Sequence, residues 1–357
     1  VDPSWQADPV RKLTQLTHAE LDRSHPPSWD GHGFSLAALT LPDEIAAALR
    51  TRHWPDGEPE KPSSGPTDAA CVRGMTRLFH TAAEEYGGQH VRTSLAAYLS
   101  HHALPLVAAR TGEPVHRDLL SATAQLTLLL AGMCMDSGQD RTAQHYHQVA
   151  VRLAVEADDA SALAIALRAM ATHSYDLGHH SPAVLNLADQ ASVYARSTAP
   201  AVQAYTEAQL AVLLAHYDRF AAMAALNRAE SLYSRAEASP GPFTMYPPGA
   251  LHYQRARTLI ALGDLVGAVR ALSASVRLRT RAEQRASVLT RALLADVHLR
   301  LGHLDEALVH GQAFLTGYPA LHSTRATRHL HTLRKQLRPH QRHPRAAEFL
   351  TESELLT

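Results

Sequence analysis

The sequence predicts an all-α protein built as a tandem array of antiparallel helix pairs, and three observations carry that expectation. A Gly or a stand-in is followed five residues later by Ala at Gly138/Ala143, Gly178/Ala183, Tyr217/Ala222, Gly263/Ala268 and Gly302/Ala307, with steps of 40, 39, 46 and 39 residues. A period of this kind marks a chain in which each helix-turn-helix unit buries its apolar face only against its neighbours. The 357 residues are 45% hydrophobic but only 6% aromatic. They suffice for a large core, yet show almost none of the Val/Ile/Thr alternation that strands need, so no sheet is expected. Finally, the residues seven before each turn position are Ala131, Ala171, Leu210, Ala256 and Ala295, and four of the five are small enough for two helices to cross closely.

Within each unit the pattern continues. Nine residues after the turn position a large apolar anchor is expected on the second helix; Leu187, Leu226 and Leu272 comply, while His147 and Gly311 do not. Twelve residues after it comes another close-packing site, where Ala150, Ala229 and Ser275 are small but Gln190 and Phe314 are not. The pattern resembles the tetratricopeptide motif in a degenerate form, lengthened from about 34 to about 40 residues. The expected fold class is therefore a tetratricopeptide-like right-handed superhelix of antiparallel helix pairs. An irregular helical domain with chance Gly/Ala pairs is the alternative, since an Ala-rich chain makes such matches cheaply.

Three segments are expected: short helices and a Pro/Gly-rich linker over 1–68, the repeat domain over 69–337, and a basic, poorly ordered tail over 338–357. In the first, Val10, Leu13, Leu16, Ala19 and Leu21 form a helical stripe opening after Asp8-Pro9, a helix start. A linker over 24–33, a second short helix over 42–50 and a tether over 53–68 rich in Pro, Gly and Ser follow. The repeat domain opens with Met75, Leu78, Phe79, Ala82 and Tyr86 on one helical face. It breaks at Gly87-Gly88 and resumes with Val91, Leu95, Tyr98, Leu99 and Leu106. The longer step of 46 residues holds the loop Ser239–Pro248, which inserts an aromatic-bearing strap with Phe243 and Tyr246.

Composition narrows the chemistry. Cys71 and Cys134 lie far apart, outside any metal or disulfide spacing, and no signal peptide or apolar run of bilayer-spanning length appears, so a reducing, cytoplasmic setting without a membrane is expected. Only three of 34 basic residues are lysines (Lys12, Lys61, Lys335), and a GC-rich, actinobacterial-type genome explains that bias together with much of the count of 24 His. His145 and His147 stand two apart on a helix, and His101-His102 and His179-His180 are adjacent, so each pair diverges. No His-Glu-x-x-His, Cys-x-x-Cys, nucleophile elbow, phosphate loop or dinucleotide fingerprint is present. Neither a metal nor another cofactor is expected, and no catalytic role.

Charge is uneven despite a net of zero: between Ala268 and Ala347 there are 14 Arg/Lys against four acids, and from Ala307 onward none of those acids. A solvated capping helix is the expectation for this tract, with tracking of a phosphate backbone or an acidic partner as the alternative.

The stretches Asp2-Pro-Ser-Trp-Gln-Ala-Asp-Pro-Val-Arg-Lys-Leu-Thr-Gln-Leu-Thr-His-Ala-Glu-Leu-Asp-Arg23, Leu78-Phe-His-Thr-Ala-Ala-Glu-Glu-Tyr-Gly-Gly-Gln-His-Val-Arg-Thr-Ser-Leu-Ala-Ala-Tyr-Leu99 and Ala143-Gln-His-Tyr-His-Gln-Val-Ala-Val-Arg-Leu-Ala154 resemble streptomycete transcriptional regulators. In that family a helix-turn-helix DNA-binding domain precedes a tetratricopeptide-like domain. The resemblance implies a ligand- or peptide-sensing and dimerisation domain of a regulator of differentiation or secondary metabolism, a homodimer that reaches DNA only through an N-terminal helix-turn-helix. No such motif stands ahead of Trp5, so that part is expected to have been removed from a longer protein or lost. A freestanding protein-protein interaction scaffold is the alternative reading, and a cofactor-free enzyme the third.

In tetratricopeptide-like pairs the concave wall comes from first-helix positions two, three, six, ten and thirteen residues before the turn. Here these supply Gln125, Asp136, Arg168, Thr172, Tyr175, Asp176, Glu207, Tyr253, Arg257, Asp296 and Arg300. This mixed-charge lining suits a peptide, a polar small molecule or a protein partner held by charge-assisted hydrogen bonds. Arg168 and Arg257 are expected to serve the ligand rather than the fold.

Overall fold

The computed structural model describes residues 5–22, 33–43, 45, 47, 68–236 and 246–356. Apart from Gly33 and Asp68, the linker over 24–33 and the tether over 53–68 lie outside the described residues, as does the strap up to Met245. Of the helix expected over 42–50, Asp43, Ile45 and Ala47 are described and helical. Among the described residues every regular element is helical, and none is a strand.

In chain order the helices are α1 (Pro9–Leu21), α2 (Asp68–Tyr86), α3 (Gly88–Tyr98), α4 (Leu104–Ala108), α5 (Glu113–Asp136), α6 (Asp140–Glu156), α7 (Ala160–Asp176) and α8 (Pro182–Ala195). They continue as α9 (Pro200–Leu214), α10 (Arg219–Tyr233), α11 (Pro248–Ala261), α12 (Leu265–Leu278), α13 (Gln284–Arg300), α14 (Leu304–Gly317), α15 (Thr324–Leu337) and α16 (Pro344–Leu355). A single π-helical turn, Leu99–Ala103, joins α3 to α4. α5 is long and apolar enough to cross a bilayer, but 72% of its most apolar window is buried inside the protein, as in a core helix.

The glycine turns have one cause. At Gly178, Gly263 and Gly302 the backbone enters the left-handed region (φ +87°, +79° and +78°), and the residue after each glycine donates its N–H to the carbonyl five residues back: His179 to Ser174 at 3.0 Å, Asp264 to Leu259 at 2.9 Å, His303 to His298 at 2.9 Å. This is the Schellman closure, which satisfies carbonyls that a helix end leaves orphaned and favours a residue without a Cβ at the left-handed position. Gly138 does the same (φ +76°), with Gln139 donating to Cys134 at 2.9 Å. The stand-in at Tyr217 is built otherwise. Tyr217 and Asp218 both donate to Leu214 O at 2.8 Å with no left-handed residue, so no glycine is required there. The α6–α7 turn repeats the Schellman bond from Asp159 to Ala154, with Asp158 at φ +58° in the glycine's place.

The chain divides into two compact units: Val1–His80 with Val91–Met135 and Gln139–Tyr246, and Thr81–His90 with Asp136–Gly138 and Pro247–Thr357. In the first, α7 packs on α8 and α9 on α10, each joined by a short turn, and α8 also packs on α9. The crossing positions Ala171 and Leu210 and the anchors Leu187 and Leu226 are buried. The N-terminal segment belongs to this unit rather than standing apart from the repeat helices. Asp8 caps α1 by accepting from Arg11 N at 2.8 Å, α1 packs on α6, and Trp5 donates from Nε1 to Ala38 O at 3.1 Å. Gln144 then exchanges two hydrogen bonds with the backbone of Ser35, at 3.0 and 2.7 Å. The apolar face expected to open the repeat domain is also revised: Val72 and Thr76 are buried, whereas Leu78 is 64% exposed.

In the second unit α11 packs on α12 and α13 on α14, with Ala256, Ala295 and Leu272 buried at the expected positions. The tail expected to be poorly ordered is instead helical over α16. Its Ala346 and Phe349 are buried with Leu289, Leu308, Phe314 and Leu330 in one apolar cluster. Gly311, where the repeat pattern wants a large anchor, faces Phe349: a Cβ there would meet the ring at 3.1 Å. The missing anchor is supplied by another helix.

Candidate ligand-binding site

A polar pocket that includes a sequence-expected site residue lies in the first unit, among α8, α9 and α10. α8 and α9 each open on a proline, whose fixed φ and missing N–H suit a helix start. α10 is capped by Asp218, which accepts from Phe220 N at 2.8 Å and Ala221 N at 3.1 Å. Spacings of three and four residues put Asp189, Ser192 and Arg196 on one face of α8 and its end. Gln203, Glu207 and Leu210 share a face of α9, and Arg228, Ser231, Leu232 and Arg235 one of α10 and its end. These residues enclose about 380 Å³.

Glu207 organises the interior. Its Oε1 accepts from Ser192 Oγ at 2.5 Å, and its Oε2 accepts from Arg228 Nε at 3.2 Å and Nη2 at 3.0 Å. One carboxylate thereby ties three helices. The carboxylate side chain is only 13% exposed while that of Arg228 is 54% exposed, so the ion pair stabilises the fold little, by less than about 1 kcal/mol. Arg235 donates from Nε to Ser231 O at 3.3 Å, and Gln203 donates from Nε2 to Thr198 O at 2.7 Å, leaving its carbonyl oxygen to the pocket. Among the described residues, the side chains of Asp189 and Arg196 make no hydrogen bond or ion pair.

Of the residues expected to form a concave wall, Glu207 alone lines this pocket. Arg168 is 6% exposed, donates from Nε to Tyr205 O at 3.0 Å, and lays its guanidinium 3.4 Å above the Tyr205 ring. Thr172 turns its hydroxyl back to Arg168 O at 2.9 Å. Tyr175 meets His216 across 3.2 Å (hydroxyl to Nε2) and packs edge-on against His180, whose ring stacks on His216 at 4.1 Å. Gln125 and Asp176 are half-buried on α5 and α7.

In the second unit Asp136 is 2% exposed. Its oxygens accept from Gly88 N at 2.8 Å and Ser323 Oγ at 2.6 Å, and Arg285, which also pairs with Glu84, stands 3.7 Å away. Tyr253 and Arg257 are neighbours, with the guanidinium 5.9 Å from the ring. Asp296 accepts from Gln336 at 2.6 Å, and the exposed Arg300 lies 3.9 Å from it.

The pocket's other charged walls stand on second helices, which a rule that counts first-helix positions does not reach. They nevertheless carry a sequence signal. Eleven, fourteen and eighteen residues after Gly178 come Asp189, Ser192 and Arg196, and at the same offsets from Tyr217 come Arg228, Ser231 and Arg235. No other unit has Ser and Arg at the last two of these offsets.

Histidines form the second feature that spacing alone missed, because chain neighbours diverge while residues of adjacent helices converge. His147 is 1% exposed with its ring 5.5 Å from that of His173, and His173 bonds Asp140 through Nε2 at 3.1 Å and meets Phe34 edge-on at 4.9 Å. Burial, with His173 adding to it, holds the His147 imidazole well below the usual histidine range. In the second unit His298 and His310 stack at 5.5 Å, and burial lowers both. No group of three or more His, Cys, Asp or Glu among the described residues is placed to hold a metal ion.

No protein-family model matches the chain, and no curated protein matches it.

Proposed function

We propose that this chain is the ligand-sensing and dimerisation part of a bacterial transcriptional regulator, a tetratricopeptide-like right-handed superhelix whose binding site is the pocket around Glu207. One observation carries the reading: the walls of that pocket come from two consecutive helix pairs, α7–α8 and α9–α10, and eight of its ten lining residues are charged or polar. An occupant bridging α8 and α10 bears on the angle between the pairs. In a tandem array such rotations add from unit to unit, so a ligand that prefers one angle shifts the population of conformers by its differential affinity. The change would be read out as altered pairing of two chains and hence altered spacing of attached helix-turn-helix domains. The volume falls within the range of small-molecule sites, which favours a compact polar ligand over an extended peptide.

Native mass spectrometry of the purified full chain tests this. A retained mass should disappear in the Glu207→Gln/Arg228→Gln variant, whose helix content should match the wild type. A retained mass unaffected by the two changes would move the site elsewhere. Sedimentation of the wild-type chain, expected to run as a dimer, tests the pairing.

A further inference from the structure

We infer that the pocket is specific for a phosphorylated sugar or polyol, with the phosphate held between Arg196 and Arg235, the hydroxyl next to it on the Gln203 carbonyl and the far hydroxyls on Asp189. The inference rests on the pocket being the binding site and adds the class of occupant. Arg196 ends α8, Arg235 follows the end of α10, and Gln203 stands in the first turn of α9. Because α9 runs antiparallel to both neighbours, these three groups share one end of the pocket.

Glu207 and Arg228 satisfy each other, which leaves two guanidiniums against one carboxylate, Asp189, a turn and more away along α8. The Arg196 fork is unbonded, and Arg235 has committed only its Nε. Two forks at one end match a group with three terminal oxygens and close to two negative charges better than a single carboxylate, which one fork satisfies. At the other end an unpaired carboxylate calls for donors without charge, and hydroxyls supply them. Among the described residues the lining holds no aromatic ring on which a nucleobase could stack, which favours a sugar or polyol phosphate over a nucleotide. The repeat pattern points the same way: the Ser and Arg offsets recur in the two consecutive units that wall the pocket and nowhere else in the array.

Isothermal titration of the full chain with sorbitol 6-phosphate, inorganic phosphate, sorbitol and a phosphoserine peptide provides the test. Sorbitol 6-phosphate should bind more tightly than inorganic phosphate, and sorbitol should not bind. Arg196→Gln/Arg235→Gln should weaken sorbitol 6-phosphate by about tenfold or more, the usual loss when a hydrogen bond to a charged group is removed. Arg196→Lys should weaken it less. Asp189→Asn should abolish the advantage over inorganic phosphate while leaving phosphate affinity in place. Both arginines are exposed, so melting temperatures should hold and separate binding loss from unfolding. No binding of any phosphorylated probe, unchanged affinity in the double arginine variant, or preference for the phosphopeptide would each overturn the inference. If a retained mass is lost in the Glu207 variant but is not displaced by sorbitol 6-phosphate, the pocket stands as the binding site and only the ligand class fails.

Discussion

His147 occupies the position at which Leu187, Leu226 and Leu272 anchor their units, and it is buried as they are, beside His173. Its folded-state pKa lies below its unfolded value near 6.5, so above that pH both states are neutral and stability is level. As pH falls below 6.5 the unfolded chain takes up a proton that the folded chain resists, and stability is lost until the folded pKa is reached. His298 and His310, lowered by burial, and His216, lowered by burial and His180, act in the same direction. Thermal melts between pH 7.5 and 5 should show a falling limb below about 6.5. His147→Leu should shallow that limb while changing stability at pH 7.5 by less than about 1.5 kcal/mol, as volume-conserving core exchanges do. Equal limbs in the two proteins would remove His147 from the explanation. Arg168 belongs to the same scale. Its spacing marks it as a groove residue, but its partners are the carbonyl and the ring of Tyr205, so Arg168→Ala should lower stability by about 1.5–3 kcal/mol in denaturant titration rather than leave it unchanged.

At the scale of the helix and its turn, Ala171 and Ala256 sit fully buried where helices cross. Replacing either by Leu should overpack the crossing and cost about 1–3 kcal/mol, read as a shift of the unfolding midpoint. Gly178→Ala would force a Cβ into the left-handed Schellman position and should cost about 1–2 kcal/mol, whereas Tyr217→Gly should bring no gain, since that turn never enters the left-handed region. The same contrast explains what was legible in the sequence. Four turns could be read because their closure favours glycine, and four of the five crossings because close approach favours alanine. The face of α2 was misread because amphipathicity does not say which neighbour will arrive, and Leu78 met none. Glu207, the one expected wall residue in the pocket lining, could be named from its offset on a first helix. Its partners Ser192 and Arg228 could not, since they stand on second helices where the motif prescribes packing rather than chemistry.

For the whole molecule, the basic C-terminal stretch forms an exposed surface rather than a disordered extension: Arg328, His331, Lys335 and Arg338 recur at three- and four-residue steps along α15 and its end, all solvent-facing. Any polyanion that such a stripe met would be held through counterion release, without its bases being read. Anisotropy titrations of this chain on unrelated duplexes should therefore give equal affinities that collapse between about 50 and 200 mM salt. Sequence-selective binding that survives physiological salt would contradict this.

The Phe349 ring that seats against Gly311 carries a consequence for how the protein is made. The notch is synthesised first, and the ring that closes it leaves the ribosome about 40 residues later, a lag of about 2–8 s at ordinary elongation rates of 5–20 residues per second. During that interval the apolar cluster that holds Leu308 and Phe314 lacks the Phe349 ring, which would leave the nascent chain open to chaperone capture or to mispairing with a second nascent chain. Codon changes that slow translation after Gly317 should lengthen this exposure and lower soluble yield without altering a single residue of the finished protein.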